Sequence, residues 1–193
     1  MSNDADTAML SIDQGVSNQP VFERQSEALI VTLAPERARF SLRVKPDHRV
    51  ALVSQTGIAL PAKIGETIID GDDMQFCLGP DEWLLISPIE MREERRKGFQ
   101  EAAKTIPFSF VDISHRNVGV SIAGALAARV LNTGCPLDLS LERFPVGKAT
   151  RTVFERAQIV LFREAEQTFY VELWRSFAPY FLGLIEKAAA EWS

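Results

Sequence analysis

Two short segments, Leu52–Pro61 (LVSQTGIALP) and Val130–Leu139 (VLNTGCPLDL), align at a 77-residue offset and share Thr56/Thr133, Gly57/Gly134 and Leu60/Leu137. In each, a helical stretch runs into a Thr-Gly pair with a proline behind it. Glycine accepts the left-handed conformation that closes a helix, and the proline prevents its continuation. The same order surrounds both segments: a strand, the short helix, an irregular link, strands, then a longer helix. A chain ordered this way builds α+β modules with largely antiparallel sheet, not a doubly wound parallel sheet. The expected division is a flexible, polar and acidic tail over 1–20, a first module over 21–106 and a second over 107–193, the two modules sharing one core. No glycine-rich loop follows a strand, which excludes a dinucleotide fingerprint and a P-loop.

The individual elements follow from hydrophobic period and turn chemistry. Residues 38–44 alternate Phe40, Leu42 and Val44 on one face, as a half-buried strand does. Residues 47–57 read as a helix capped by Asp47, with Val50 and Val53 inward and Gly57 as its stop. Strands Met74–Leu78 and Glu82–Ile86 flank the turn Gly79-Pro80-Asp81. A helix over 88–104 opens at Pro88 and carries Arg92, Arg95, Arg96 and Lys97 among Glu90, Glu93 and Glu94. Glu93 and Lys97 stand at i,i+4, and the pattern predicts a solvated face. Strands at 108–114 and 118–122, a helix over 124–133 and strands at 148–155, 157–163 and 168–174 come next. The last helix is capped by Ser176, with Phe177, Phe181, Leu184, Ile185, Ala188 and Trp192 on one stripe. Trp83, Trp174 and Phe177 are read as core residues.

Composition removes several functions. The chain has 193 residues, 46% apolar and 24% charged, enough to bury about 70% of its unfolded surface without a metal or disulfide. A net charge of −5 and a pI near 5.2 argue against nucleic acid as a partner. Cys77 and Cys135 lie in apolar surroundings with no C-x-x-C, so both are expected to be free, buried thiols of a reducing compartment. No apolar run reaches the roughly 18 residues that span a bilayer. The acidic start MSNDADTAML is not a secretory signal. A cytoplasmic protein without a membrane contact is the expectation.

Asp112, Ser114 and His115 place three catalytic residue types in four positions, but a triad needs a base within reach of the nucleophile and a third group orienting the base. Neighbours on a strand diverge, so Ser114 and His115 point apart while Asp112 and Ser114 share a side. No G-x-S-x-G elbow surrounds the serine. The stretch reads as a polar connection in which Asp112 or Ser114 bonds backbone amides. His48 and His115, 67 residues apart, have no ligand pattern between them. Asp70, Asp72 and Asp73 lack the ladder of a Ca²⁺ loop and suit a solvated hairpin. Arg175, at a strand-to-helix corner, is placed to reach a partner's carboxylate or an anion near the helix start, and pairing within the chain is the reading preferred for it.

Four segments resemble the gamma subunit of heterotetrameric sarcosine oxidase: LGPDEWLLIS (78–87), VDISHRNVGVSIAG (111–124), LNTGCPLDLSLERFPVGKATRT (131–152) and FYVELWRSFAPYF (169–181). The resemblance implies a fold like the folate-binding module of the aminomethyltransferases. It implies alpha, beta and delta partner subunits, and a complex that oxidises sarcosine to glycine while passing the one-carbon unit to tetrahydrofolate. It also implies a chain without a cofactor of its own, FAD, FMN, NAD, tetrahydrofolate and zinc belonging to the other subunits. Asp72 and Asp73 lie near the hairpin that carries a carboxylate in folate binders, but a register shift and a glycine-rich turn separate them from that role. The corners expected to touch partners are His115, Arg116, Cys135, Pro136, Asp138 and Arg175. The competing expectations are a stand-alone folate-binding protein or small folate-dependent transferase, and a hydrolase built on Ser114.

Overall fold

The computed structural model describes residues 20–24 and 28–192; the expected tail lies outside them, apart from Pro20. The chain forms an α+β structure of two units, residues 37–114 and residues up to 36 joined with those from 115 onward.

The 37–114 unit holds strands β3 (Arg37–Val44), β4 (Thr67–Asp70), β5 (Asp73–Gly79), β6 (Glu82–Pro88) and β7 (Phe108–Asp112), with helices α1 (Pro46–Thr56) and α2 (Arg92–Ala102). Its antiparallel sheet has the order β4-β5-β6-β3-β7. Alternation puts Phe40, Leu42 and Val44 on the face where Leu52 of α1 and Phe99 and Ala102 of α2 close an apolar core around Trp83 and Cys77. The Trp83 indole donates to the Pro61 carbonyl at 2.9 Å, which satisfies the one polar atom of a buried tryptophan.

Helix α1 begins earlier than its sequence cap suggests. Lys45 is the N-cap and Pro46 occupies the first turn with Asp47, because proline arrives with its φ already helical and lacks only an amide the helix would leave unpaired. Val50 faces solvent, 69% exposed, while Leu52 is buried and Val53 packs half-buried against the same core. Gly57 closes the helix at φ 70°, its N–H bonding Val53 O, in the left-handed conformation expected of it.

The second unit holds β1 (Pro20–Arg24), β2 (Leu29–Leu33), β8 (Asn117–Ala123), β9 (Ala149–Phe154), β10 (Ala157–Ala165) and β11 (Thr168–Trp174), with helices α3 (Ala127–Leu131) and α4 (Ala178–Ala189). Its sheet is antiparallel in the order β1-β2-β8-β11-β10-β9. Phe169, Val171 and Leu173 of β11 meet Phe181, Ile185 and Ala188 of α4 in its core.

The division of the chain differs from the sequence expectation at both ends. β7 pairs with β3 along its length, so it closes the 37–114 unit instead of opening the second module at 107. β2 pairs with β8, so the segment before residue 36 completes the second unit. Pairing partners distant in sequence decided both cases.

The start of α4 is also different. A 3₁₀ turn, Arg175–Phe177, precedes it, Phe177 is the N-cap, and no side chain caps the helix. Pro179 in the first helical turn sets that start, and Ser176 is left exposed as part of the turn. Phe181, Ile185 and Ala188 are buried as the stripe requires, and Phe177 and Leu184 are half-buried; the Trp192 side chain lies outside the described residues.

Candidate functional site

The Asp112–Arg116 stretch leaves β7 and leads into β8. Ser114 is 3% exposed, and its hydroxyl is fully committed to structure. Oγ accepts the Arg39 N–H at 2.9 Å and donates to Asp112 Oδ1 at 2.7 Å. The Ser114 N–H donates to the same Oδ1 at 3.0 Å, the turn geometry that short polar side chains offer a strand end. Asp112 Oδ2 takes Arg92 Nε at 2.7 Å. Burial alone would raise the Asp112 pKa, but the hydrogen bonds from Arg92 and Ser114 and the Arg92 charge carry it below the ordinary value. His115 is exposed while Ser114 is buried. The arrangement is a folded corner, and it leaves the hydrolase reading without a serine–base pair.

The arginines of α2 are less solvated than their spacing suggests. Arg92 holds Asp112, and Arg95 Nη2 holds Asp73 Oδ2 at 2.7 Å with both side chains only 18% exposed. Arg96 pairs with Glu93 at 2.9 Å, taking the carboxylate that i,i+4 spacing would offer Lys97. The first turn of α2 reaches strand-end carboxylates, so the acidic residues at the β4–β5 turn divide their roles. Asp73 is paired in the fold, the Asp72 carbonyl accepts Arg37 Nη2, and Asp70 stands exposed across the hairpin from Asp73. Among the described residues no three His, Cys, Asp or Glu side chains are grouped to hold a metal ion.

Both cysteines are free and buried. Burial pushes the Cys77 thiol up, the opposite of what a nucleophile needs. Cys135, 3% exposed, sits below the surface: its N–H bonds Leu131 O at 2.9 Å, while Pro136 and Asp138 beside it are exposed. Asn132 Nδ2 holds the loop by its Leu137 carbonyl at 2.6 Å. Asp138 accepts the Ser140 N–H at 2.9 Å. That backbone bond leads the causes that lower its pKa, with the Ser140 side chain and Arg143 adding to it.

Three of the anticipated corner residues do come together. The Arg175 N–H donates to Arg116 O at 2.7 Å, and Arg175 Nε to His115 O at 3.3 Å. These bonds pin the 115–116 turn to the end of β11. The register brings Trp174 opposite Asn117. The Arg116 guanidinium carbon lies 5.6 Å from the Trp174 ring centroid, and its Nε donates to Asn117 Oδ1 at 3.1 Å.

Trp174 was expected in the core and is 44% exposed. Alternation turns it to the face opposite Phe169, Val171 and Leu173, but Tyr170 and Glu172 on that face are buried, so its exposure comes from its place as the last residue of β11. Phe177, 6.2 Å away by ring centroids, extends the aromatic surface.

A family model described as the sarcosine oxidase, gamma subunit family matches residues 43–191. A sarcosine oxidase subunit gamma of Corynebacterium sp. (strain U-96) is 31% identical over 158 residues, spanning 80% of this chain and 76% of that protein. A heterotetrameric sarcosine oxidase from Corynebacterium sp. U-96, solved with pyrrole 2-carboxylate, superposes over 99% of this chain and 95% of the matched one, at TM-score 0.82 and 25% identity. The glycine cleavage system aminomethyltransferase T of Bartonella henselae covers 80% of the chain and 44% of its own, at TM-score 0.62 and 12% identity, a likeness of fold.

Proposed function

Since this chain belongs to the sarcosine oxidase gamma subunit family, we propose that it is a non-catalytic accessory subunit of a heterotetrameric sarcosine oxidase, with alpha, beta and delta chains as its partners. The complex oxidises sarcosine to glycine with reduction of oxygen and passes the one-carbon unit to tetrahydrofolate. On this reading FAD, FMN, NAD, tetrahydrofolate and zinc are held by the partner chains, and the assembly works in the cytoplasm. The observation that carries the reading is the likeness to a heterotetrameric oxidase along nearly the whole chain. The internal use of Ser114, Asp112, Asp73 and both thiols agrees with it, since each reactive side chain is spent on folding. No helix among the described residues is long and apolar enough to cross a membrane.

The test is reconstitution. Alpha, beta and delta chains are expressed with and without this chain, and flavin content and sarcosine-dependent oxygen uptake are measured. Loss of stable assembly or turnover on omission is the expected result. Equal flavin loading and equal turnover without it refute the reading. The aminomethyltransferase likeness carries fold and not ligand. Titration of the isolated chain with tetrahydrofolate is therefore expected to show no binding, and saturable binding would restore the stand-alone folate alternative.

A further inference from the structure

The corner at the end of β11 combines features that ordinary surface lacks. An indole with 44% of its surface in water is covered on one side by the Arg116 guanidinium. Asn117, itself 7% exposed, holds Arg116 Nε, and the backbone beneath is fastened by Arg175. The arginine is therefore set in place before any partner arrives, and little side-chain freedom remains to be lost on docking. With Nε engaged by Asn117, the two terminal amino groups form the fork suited to a carboxylate. Trp and Arg are among the residue types that dominate binding energy at protein interfaces, and here Trp174 and Arg116 share one corner.

We propose that Trp174 and Arg116 form the centre of the surface by which this chain docks onto a carboxylate-bearing segment of another subunit of its oxidase. The proposal rests on the accessory-subunit reading and names the chemistry of its contact. Charge decides the occupant. The chain carries a net charge of −5, so an acidic partner segment is repelled by most of it and attracted to this cationic corner, which gives orientation as well as affinity. The indole supplies apolar area for the same partner to cover.

The experiment uses the full chain and the tagged partner subunits. Binding of wild type, Trp174→Ala, Arg116→Glu, Arg116→Lys and Val50→Ala is measured by titration at several salt concentrations, with thermal melting of each variant alone. Val50 is 69% exposed and distant in sequence from the corner. Trp174→Ala and Arg116→Glu are each expected to weaken binding about thirtyfold or more, the scale of a hot-spot truncation. Wild-type affinity falls with salt, Arg116→Glu shows a flatter dependence, Arg116→Lys recovers part of the loss, and Val50→Ala binds as wild type. If Trp174→Ala melts early, Arg116→Glu decides, since it adds no cavity. Wild-type affinity and salt slope in Arg116→Glu overturn the proposal while leaving the subunit reading intact. Loss of self-association in place of partner binding overturns it in favour of a second copy as occupant. Failure of the wild-type chain to bind the partner subunits removes both.

Discussion

Replacing Ser114 with alanine separates a structural serine from a catalytic one. The change deletes an acceptor for the Arg39 N–H, which lies in a residue 2% exposed, and a 2.7 Å donor to the Asp112 carboxylate. A buried amide left without a partner costs about 1–3 kcal/mol, and a hydrogen bond to a charged group contributes about 1.5–3 kcal/mol. The Asp112 carboxylate keeps Arg92 and the Ser114 N–H, so the loss settles near the lower half of the sum, about 3 kcal/mol. For a chain of this length each kcal/mol moves Tm by about 2–4 °C, which gives a fall of about 6–12 °C. The assay is thermal unfolding of the isolated chain by circular dichroism, with sarcosine-dependent oxygen uptake of the oxidase reconstituted below the lowered Tm. Turnover per assembled complex is expected to remain at the wild-type level. A Tm shift under about 2 °C refutes the hydrogen-bond argument. Lost turnover in a complex that assembles normally refutes the structural assignment of Ser114.

Three further outcomes follow from single contacts. Gly119→Ala places a Cβ 2.6 Å from Tyr170 Cζ and 3.0 Å from Ala34 Cβ. It disturbs the buried Tyr170–Glu172 hydrogen bond of 2.7 Å and should cost about 3–5 kcal/mol in urea unfolding from overpacking and the weakened bond. The cost should shrink in a Tyr170→Ala background, and equal costs in both backgrounds count against the clash. Neither Cys77 nor Cys135 should react with iodoacetamide in the native chain at neutral pH, and both should react in urea; rapid native labelling contradicts their burial. Asp112 titrates below its unfolded value, so its contribution to stability is fully present above the ordinary aspartate range and is lost as pH falls through the lower native pKa. Asp112→Asn should therefore show a smaller acid-induced loss of Tm than wild type, and parallel profiles would disprove the linkage.

Local chemistry alone determined much of this protein. Alternation in Phe40, Leu42 and Val44 names a strand and its buried face, the Gly57 stop ends α1, and Gly79-Pro80-Asp81 marks the turn between β5 and β6, because each depends on neighbours within a few residues. The polar turn at Asp112–Ser114 was legible for the same reason, since a short polar side chain bonds backbone two residues away, although β7 ends at Asp112 and the strand expected to reach Ser114 gives way to that turn. The segments at 78–87, 111–124, 131–152 and 169–181 carry the family resemblance and, through it, the fold.

Tertiary structure decided what depends on partners far along the chain. β7 belongs with β3 and β2 with β8 because strand pairing satisfies backbone groups wherever an edge is available, and nothing in 107–114 or 29–33 states which edge that is. The arginines of α2 look like a solvated face by spacing, yet Arg92 and Arg95 find carboxylates on β7 and β5 once the helix lies on the sheet. Trp174 is the sharpest case. Its residue type predicts burial, and the face of β11 it shares with Tyr170 and Glu172 is itself buried, so neither type nor period predicts its exposure. Only the packed sheet, with Arg116 brought beside it from 58 positions earlier in the chain, leaves it at the surface as the last residue of the strand, because burial at a strand end depends on what packs beyond it.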